Sequence, residues 1–148
     1  MHNLIGTWRL IDWTVTMRNG RVTHPFGGKA RGLITYTDEG RMVATLMKSD
    51  RAVMGTRSFN EATALDRASA AAGFNSYAGT YEIIGDHVHH HVELSLFPDW
   101  VGATQVRHIE WNHNEDGTTD LTLLDLGIGS DRPTVMRLRW HRVTEERT

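Results

Sequence analysis

Residues 85–107 read GDHVHHHVELSLFPDWVGATQVR. His87, His89, His91, Glu93 and Ser95 recur at every second position between a Gly-Asp turn signal and a Phe-Pro break. Side chains two apart in an extended chain point to the same side, so this is one β-strand with a distinct polar face. The return segment, residues 103–111, is rich in Thr, Val, Ile and Trp, which suit a pleated sheet. The pair is an antiparallel hairpin, and the chain around it repeats the theme.

Upstream, Thr7–Met17 reads as a strand ending in Arg18-Asn19-Gly20, where Asn-Gly is a strong hairpin signal. Further strands are expected at Arg21–Pro25, Arg31–Tyr36, Arg41–Met47 and Tyr77–Ile84, and the quoted stretch supplies His87–Leu96. Downstream, Ala103–Trp111, Thr118–Leu126 and Thr134–Val143 follow, with loops at Phe97–Gly102 and Gly127–Arg132. About nine short strands at hairpin spacing indicate an all-β sandwich or up-and-down barrel. One helix interrupts them. Ser58-Phe59-Asn60-Glu61 fits a capping box, Ala62, Leu65, Ala68 and Ala72 keep helical spacing, and Gly73 is a stop. The helix is expected to be a lid or plug at one end of the barrel.

Bulk properties bound the function. At 148 residues the chain suits a single domain, residues 1–148, able to line a modest cavity. A net charge of −2 with no basic stripe argues against nucleic acid and anionic membranes as partners. Cysteine is absent, which excludes disulfides, zinc–thiolate sites, iron–sulfur clusters and cysteine nucleophiles. No signal peptide and no apolar run of about 20 residues is visible, so the expected address is the cytoplasm. The oligomeric state is left open between monomer and homodimer. Of nine histidines, His87, His89, His90, His91, His108 and His113 crowd into the central hairpin and its continuation. That concentration points to acid–base or ligand chemistry, with a polar surface patch as the bland alternative.

Two ends of the chain carry a family pattern. Gly6-Thr7-Trp8 opens the first strand, and Arg137, Arg139, Trp140 and Arg142 sit on the last. This resembles the calycin pattern, in which a basic residue of the final strand covers the tryptophan of a Gly-x-Trp strand. LIGTWRLIDW at 4–13, PFGGKARGLITYT at 25–37, YAGTYEI at 77–83 and HHHVELSLFPDWVGATQVR at 89–107 together resemble the small bacterial lipocalin-like domain family. The resemblance implies a lipocalin-like antiparallel barrel of about 8–10 strands with a central hydrophobic cavity. It implies no settled reaction, since the wider group includes carriers and cofactor-free isomerases or cyclases. Secreted, disulfide-bonded lipocalins differ from this chain on both counts.

The chemistry depends on which face of residues 87–96 is interior. With Glu93 opposite Arg107, the register also sets Ser95 against Gln105, His91 against Ile109 and His89 against Trp111. One face then holds His89, His91, Glu93, Ser95, Gln105 and Arg107, the polar set that a ligand cavity needs, and this odd-numbered face is expected inside. His91 is then the acid or base, Glu93 orients it, and Arg107 with Gln105 holds a carbonyl, carboxylate or enolate oxygen. Tyr36 and Tyr77 are candidate phenolic donors. His89, Ser95 and Trp111 join the lining, and Trp100 in the Phe97–Gly102 loop is a candidate gate. A third tyrosine, Tyr81, is available if it points inward. The spacing assigns no metal site, because Val92 alone separates His91 from Glu93, and no cofactor motif is present.

The sequence thus predicts a barrel enclosing a small apolar or aromatic metabolite. It leaves open whether the protein acts on that molecule as a cofactor-independent isomerase, cyclase or lyase, only binds or carries it, or has a barrel filled by its own side chains.

Overall fold

The alternating segments resolve into strands of one continuous antiparallel sheet in a computed structural model, which describes residues 3–127 and 134–144. Nine strands lie among these residues: β1 (Gly6–Thr16), β2 (Val22–Thr23), β3 (Arg31–Tyr36), β4 (Arg41–Met47), β5 (Phe74–Ile84), β6 (His87–Ser95), β7 (Thr104–His113), β8 (Thr119–Asp125) and β9 (Val135–Arg142). β3 to β9 pair in chain order. β1 pairs on one side with β3, Trp8 opposite Ile34, and on the other with β9, Leu10 opposite Trp140. Bonding on both sides of β1 closes eight strands into a barrel and removes the open edges. The expected strand at Arg21–Pro25 shrinks to the two residues of β2, which extend the β1 hairpin beyond the barrel wall. Pro25 has no N–H to continue that ladder.

The two ends of the barrel differ. Tight turns at Thr37–Gly40, Gly85–Asp86 and Asn114–Thr118 close one end. The connections 17–30, 48–73 and 96–103 lie at the other, where β8 ends and β9 begins. The base is sealed as the paired ends of the sequence suggest. Trp8 is fully buried and donates from Nε1 to the Leu4 carbonyl at 2.9 Å. The Arg142 guanidinium lies over its ring, 4.2 Å from the centroid, and donates to the carbonyls of Ile5 (2.6 Å) and Asn3 (2.9 Å). A cation on an indole face and two charge-assisted hydrogen bonds thus fasten the last strand to the first. Trp111 packs beside Trp8, ring centroids 5.9 Å apart, so it belongs to this floor. Val88, Leu121, Trp140 and Met42 fill the space above.

The helix, α1 (Ala64–Ala72), begins later than its capping-box signature predicts. Ser58 heads only a short 3₁₀ turn, Phe59–Glu61, and makes no side-chain cap; Glu61 instead accepts from the Arg57 backbone N–H at 3.3 Å. Thr63 is the working cap, its Oγ1 accepting from the Asp66 amide at 3.1 Å. No residue of α1 is buried, and Leu65 is 80% exposed. The helix therefore lies outside the barrel at the end of the long connections and does not plug it. The loop expected over 127–132 lies outside the described residues beyond Gly127. No helix among the described residues is long and apolar enough to cross a membrane.

Candidate functional site

The register of the central hairpin decides what lines the interior. His87 stands opposite His108, Val88 opposite Arg107, His89 opposite Val106, His90 opposite Gln105 and His91 opposite Thr104. The expected pairing of Glu93 with Arg107 is displaced by five positions. An odd displacement exchanges the faces of one strand relative to the other. Val88, His90 and Val92 therefore point inward, all nearly inaccessible to solvent, and the odd-numbered face of β6 points outward. The expectation that His89, His91 and Glu93 face a cavity is corrected accordingly.

Desolvation explains the choice. Burying several imidazoles and a carboxylate requires a hydrogen-bond partner for every polar atom, whereas two valines bury favourably. Outside, His91 is held between the Glu82 carboxylate (Nε2 to Oε1, 2.8 Å) and the Thr104 hydroxyl (Nδ1 to Oγ1, 2.9 Å). Glu93 accepts two hydrogen bonds of 3.0 Å from Arg41 rather than from Arg107. His89 sits on the same outer face, its ring 6.4 Å from that of His91.

Ser95 escapes this inversion through a β-bulge. Opposite β5, Ala78 pairs with Leu94 and Gly79 with Val92, leaving Glu93 as the extra residue. After the bulge the alternation is reversed, so Ser95 pairs with Tyr77 on the inner side while Leu94 is exposed. Gly79 makes the bulge possible. A Cβ there would sit 1.8 Å from the His91 carbonyl oxygen, far closer than van der Waals contact allows.

On β7, Gln105, Arg107, Ile109 and Trp111 do share the inner face, since Arg107 is buried and the other three are partly covered. The residue that sequence reasoning missed is His90. It is completely buried, and both ring nitrogens are engaged: Tyr36 Oη lies 2.7 Å from Nε2 and Tyr77 Oη lies 2.8 Å from Nδ1. A neutral imidazole has one donor and one acceptor nitrogen, so one phenol donates and the other accepts in either tautomer. The accepting phenol keeps its own O–H to give away. Two signals in the sequence point to this group. His90 shares the even-numbered face with Val88 and Val92, and the two tyrosines stand at inward positions of β3 and β5.

The electrostatics hold this cluster neutral. Burial, reinforced by the Arg107 charge and then by His91 and His89, pushes the His90 pKa down to about 3. Burial raises the Tyr36 phenol well above its ordinary value, with Tyr77 adding to the rise and Arg107 opposing it. Tyr77 is also raised by burial and opposed by Arg107. Arg107 is thus the permanent charge beside the cluster. It donates to the Val106 carbonyl (2.9 Å) and to Gln105 Oε1 (3.2 Å). Its carboxylate neighbour, Asp125, is 3.6 Å away and about half exposed.

Aromatic groups lie on the side of the cluster toward the long connections. Trp100, in the 3₁₀ turn Pro98–Trp100, meets Tyr77 edge-on at 5.8 Å and Phe97 at 5.5 Å. Trp13 packs edge-on against Phe26 at 4.8 Å. The buried indole N–H of Trp13 has no hydrogen-bond partner among the described residues. Aromatic side chains with a cation, phenols and an indole N–H as the polar groups are the composition usual in small-molecule sites.

A family model described as a lipocalin-like domain matches residues 5–143, nearly the whole chain. No curated protein matches it significantly.

Proposed function

Because this chain belongs to the lipocalin-like domain family, we propose that it takes a small organic molecule through the end bearing the long connections and holds it over Arg107 and the Tyr36–His90–Tyr77 cluster. The family and the closed barrel support small-molecule binding in general. The finer reading rests on one observation: a fully buried neutral histidine fastened at both nitrogens by phenols beside a buried guanidinium. Apolar side chains of similar volume would fill a purely structural core at no desolvation cost, so this polar group is best explained by what it presents.

The chemistry of the ligand follows from the lining. Arg107 and the free phenolic O–H favour an oxygen-bearing head such as a carbonyl, carboxylate or enolate. Trp100, Phe97, Trp13 and Phe26 favour an apolar or aromatic body. The reading is one of binding rather than proton transfer. A histidine with a pKa near 3 is a weak base at neutral pH, and phenols shifted upward are weak acids. His91 and Glu93, outside the barrel, take no part.

The test combines native mass spectrometry of the untagged protein as purified with titration of an anionic aromatic probe, 8-anilinonaphthalene-1-sulfonate, followed by tryptophan quenching. A bound small molecule, or saturable quenching, is expected. Arg107→Met should weaken the probe by about tenfold or more, the worth of one charged hydrogen bond. A mass free of adducts together with probe binding indifferent to Arg107→Met sinks the proposal and favours a barrel filled by its own side chains.

A further inference from the structure

The outward face of the histidine-rich strand gathers ligands at a second place, at the closed end of the barrel and away from Arg107. The β5–β6 hairpin turns through Gly85 and Asp86. Gly85 has φ +63° while Asp86 does not enter the left-handed region, the glycine-first arrangement of a type II′ turn. The Asp86 carbonyl accepts from the Ile109 amide at 2.7 Å, which pins the turn onto β7. His87 and His108 are directly opposite across β6 and β7, with rings 5.2 Å apart. The Asp86 carboxylate reaches both, 2.7 Å from His87 Nδ1 and 3.4 Å from His108 Nδ1.

We propose that Asp86, His87 and His108 form a binding site for a first-row divalent cation, with zinc as the preferred ion. One ligand atom from each lies within 4.8 Å of the other two. Two donors bonded to a common zinc ion at about 2.0–2.1 Å stand roughly 3–4 Å apart, so small side-chain rotations bring all three onto one ion. Two imidazoles and a carboxylate match the ligand preference of zinc and leave its remaining positions to water. Glu110 adds an outer support. Its Oε1 lies 3.8 Å from His108 Nε2, on the side of the ring away from Asp86, where a carboxylate orients a ligating histidine. The neighbouring His91 makes no rival site, because Glu82 and Thr104 already occupy both its nitrogens. Nothing here depends on what the barrel encloses.

Calorimetric titration of the untagged, chelator-treated protein with zinc chloride tests the site. A saturable single-site isotherm is expected, with a zinc-dependent rise in melting temperature. His87→Gln/His108→Gln should abolish both, while His89→Gln/His91→Gln and Arg107→Met retain them. Glu110→Gln should weaken binding by about tenfold without changing the melting temperature of the metal-free protein. The four histidines and Glu110 are at least partly exposed, so their variants are expected to fold, and circular dichroism checks this for each of them and for the variant at the buried Arg107. No binding by the parent protein, or undiminished binding by His87→Gln/His108→Gln, overturns the proposal. A heat signal that never saturates means an adventitious ion only and overturns it equally.

Discussion

At the scale of single residues, two adjacent histidines have opposite fates. His90 and His91 are indistinguishable as side chains, yet one is sealed between two phenols and the other lies in water against Glu82. The sequence displays the alternation but not its sign, because the inner and outer faces of β6 each carry imidazoles. The deciding information sits on other strands, in the tyrosines of β3 and β5 that can satisfy one buried imidazole. The burial of His90 has a pH signature. Its folded pKa of about 3 lies below the ordinary 6.5, so as pH falls the unfolded chain takes up the proton first. The stability linked to His90 is complete above pH 6.5 and drains away toward pH 3, by up to about 1.4 kcal/mol per pH unit. Urea denaturation at pH 7, 6, 5 and 4 should show this slope, and His90→Gln, which cannot titrate, should lose it. By contrast, His91→Ala and Glu93→Gln should leave probe binding unchanged and shift stability by less than about 1 kcal/mol, as expected for exposed pairs. A collapse of probe binding in either would restore the outer residues to the site.

At the scale of elements, the hairpin fails the simplest pairing rule because its connection is folded. Pro98 starts a 3₁₀ turn, the Gly102 amide donates to the Val92 carbonyl at 2.9 Å, and Val92 N–H donates back to Ala103 at 3.0 Å. This loop sets the register, and a reading by alternation alone has no access to it. The bulge at Glu93 is equally hidden, since an added residue leaves no compositional mark on its own strand. Its trace is on the neighbouring strand, in Gly79. Gly79→Ala should cost about 3 kcal/mol or more by forcing β5 and β6 apart, beyond the usual range for an overpacked methyl group. Equilibrium denaturation measures that cost. A loss under 1 kcal/mol would mean that the two strands separate readily and that the inward placement of Ser95 is not fixed. The helix shows the same limit in milder form. Both Ser58 and Thr63 are competent caps, and only the 3₁₀ turn at Phe59–Glu61 delays the helix to the second.

At the scale of the whole molecule the sequence was most legible. Closure needs complementary groups at the two ends of the chain, and Gly6-Thr7-Trp8 with Arg142 shows them openly. Arg142→Ala removes the cation from the Trp8 face and two hydrogen bonds to backbone carbonyls. It should destabilise the barrel by about 2 kcal/mol, read from chemical denaturation, and Arg142→Lys should recover only part of this because lysine lacks the planar fork. Full recovery by lysine would reduce the contact to simple charge.

The unequal ends of the barrel have a practical consequence. The two ends are built from separate stretches of chain, so the segment 48–57 can be randomised while Trp8, Trp111 and Arg142 keep the base closed. A library of loop variants would then sample new cargo preferences on an unaltered chassis.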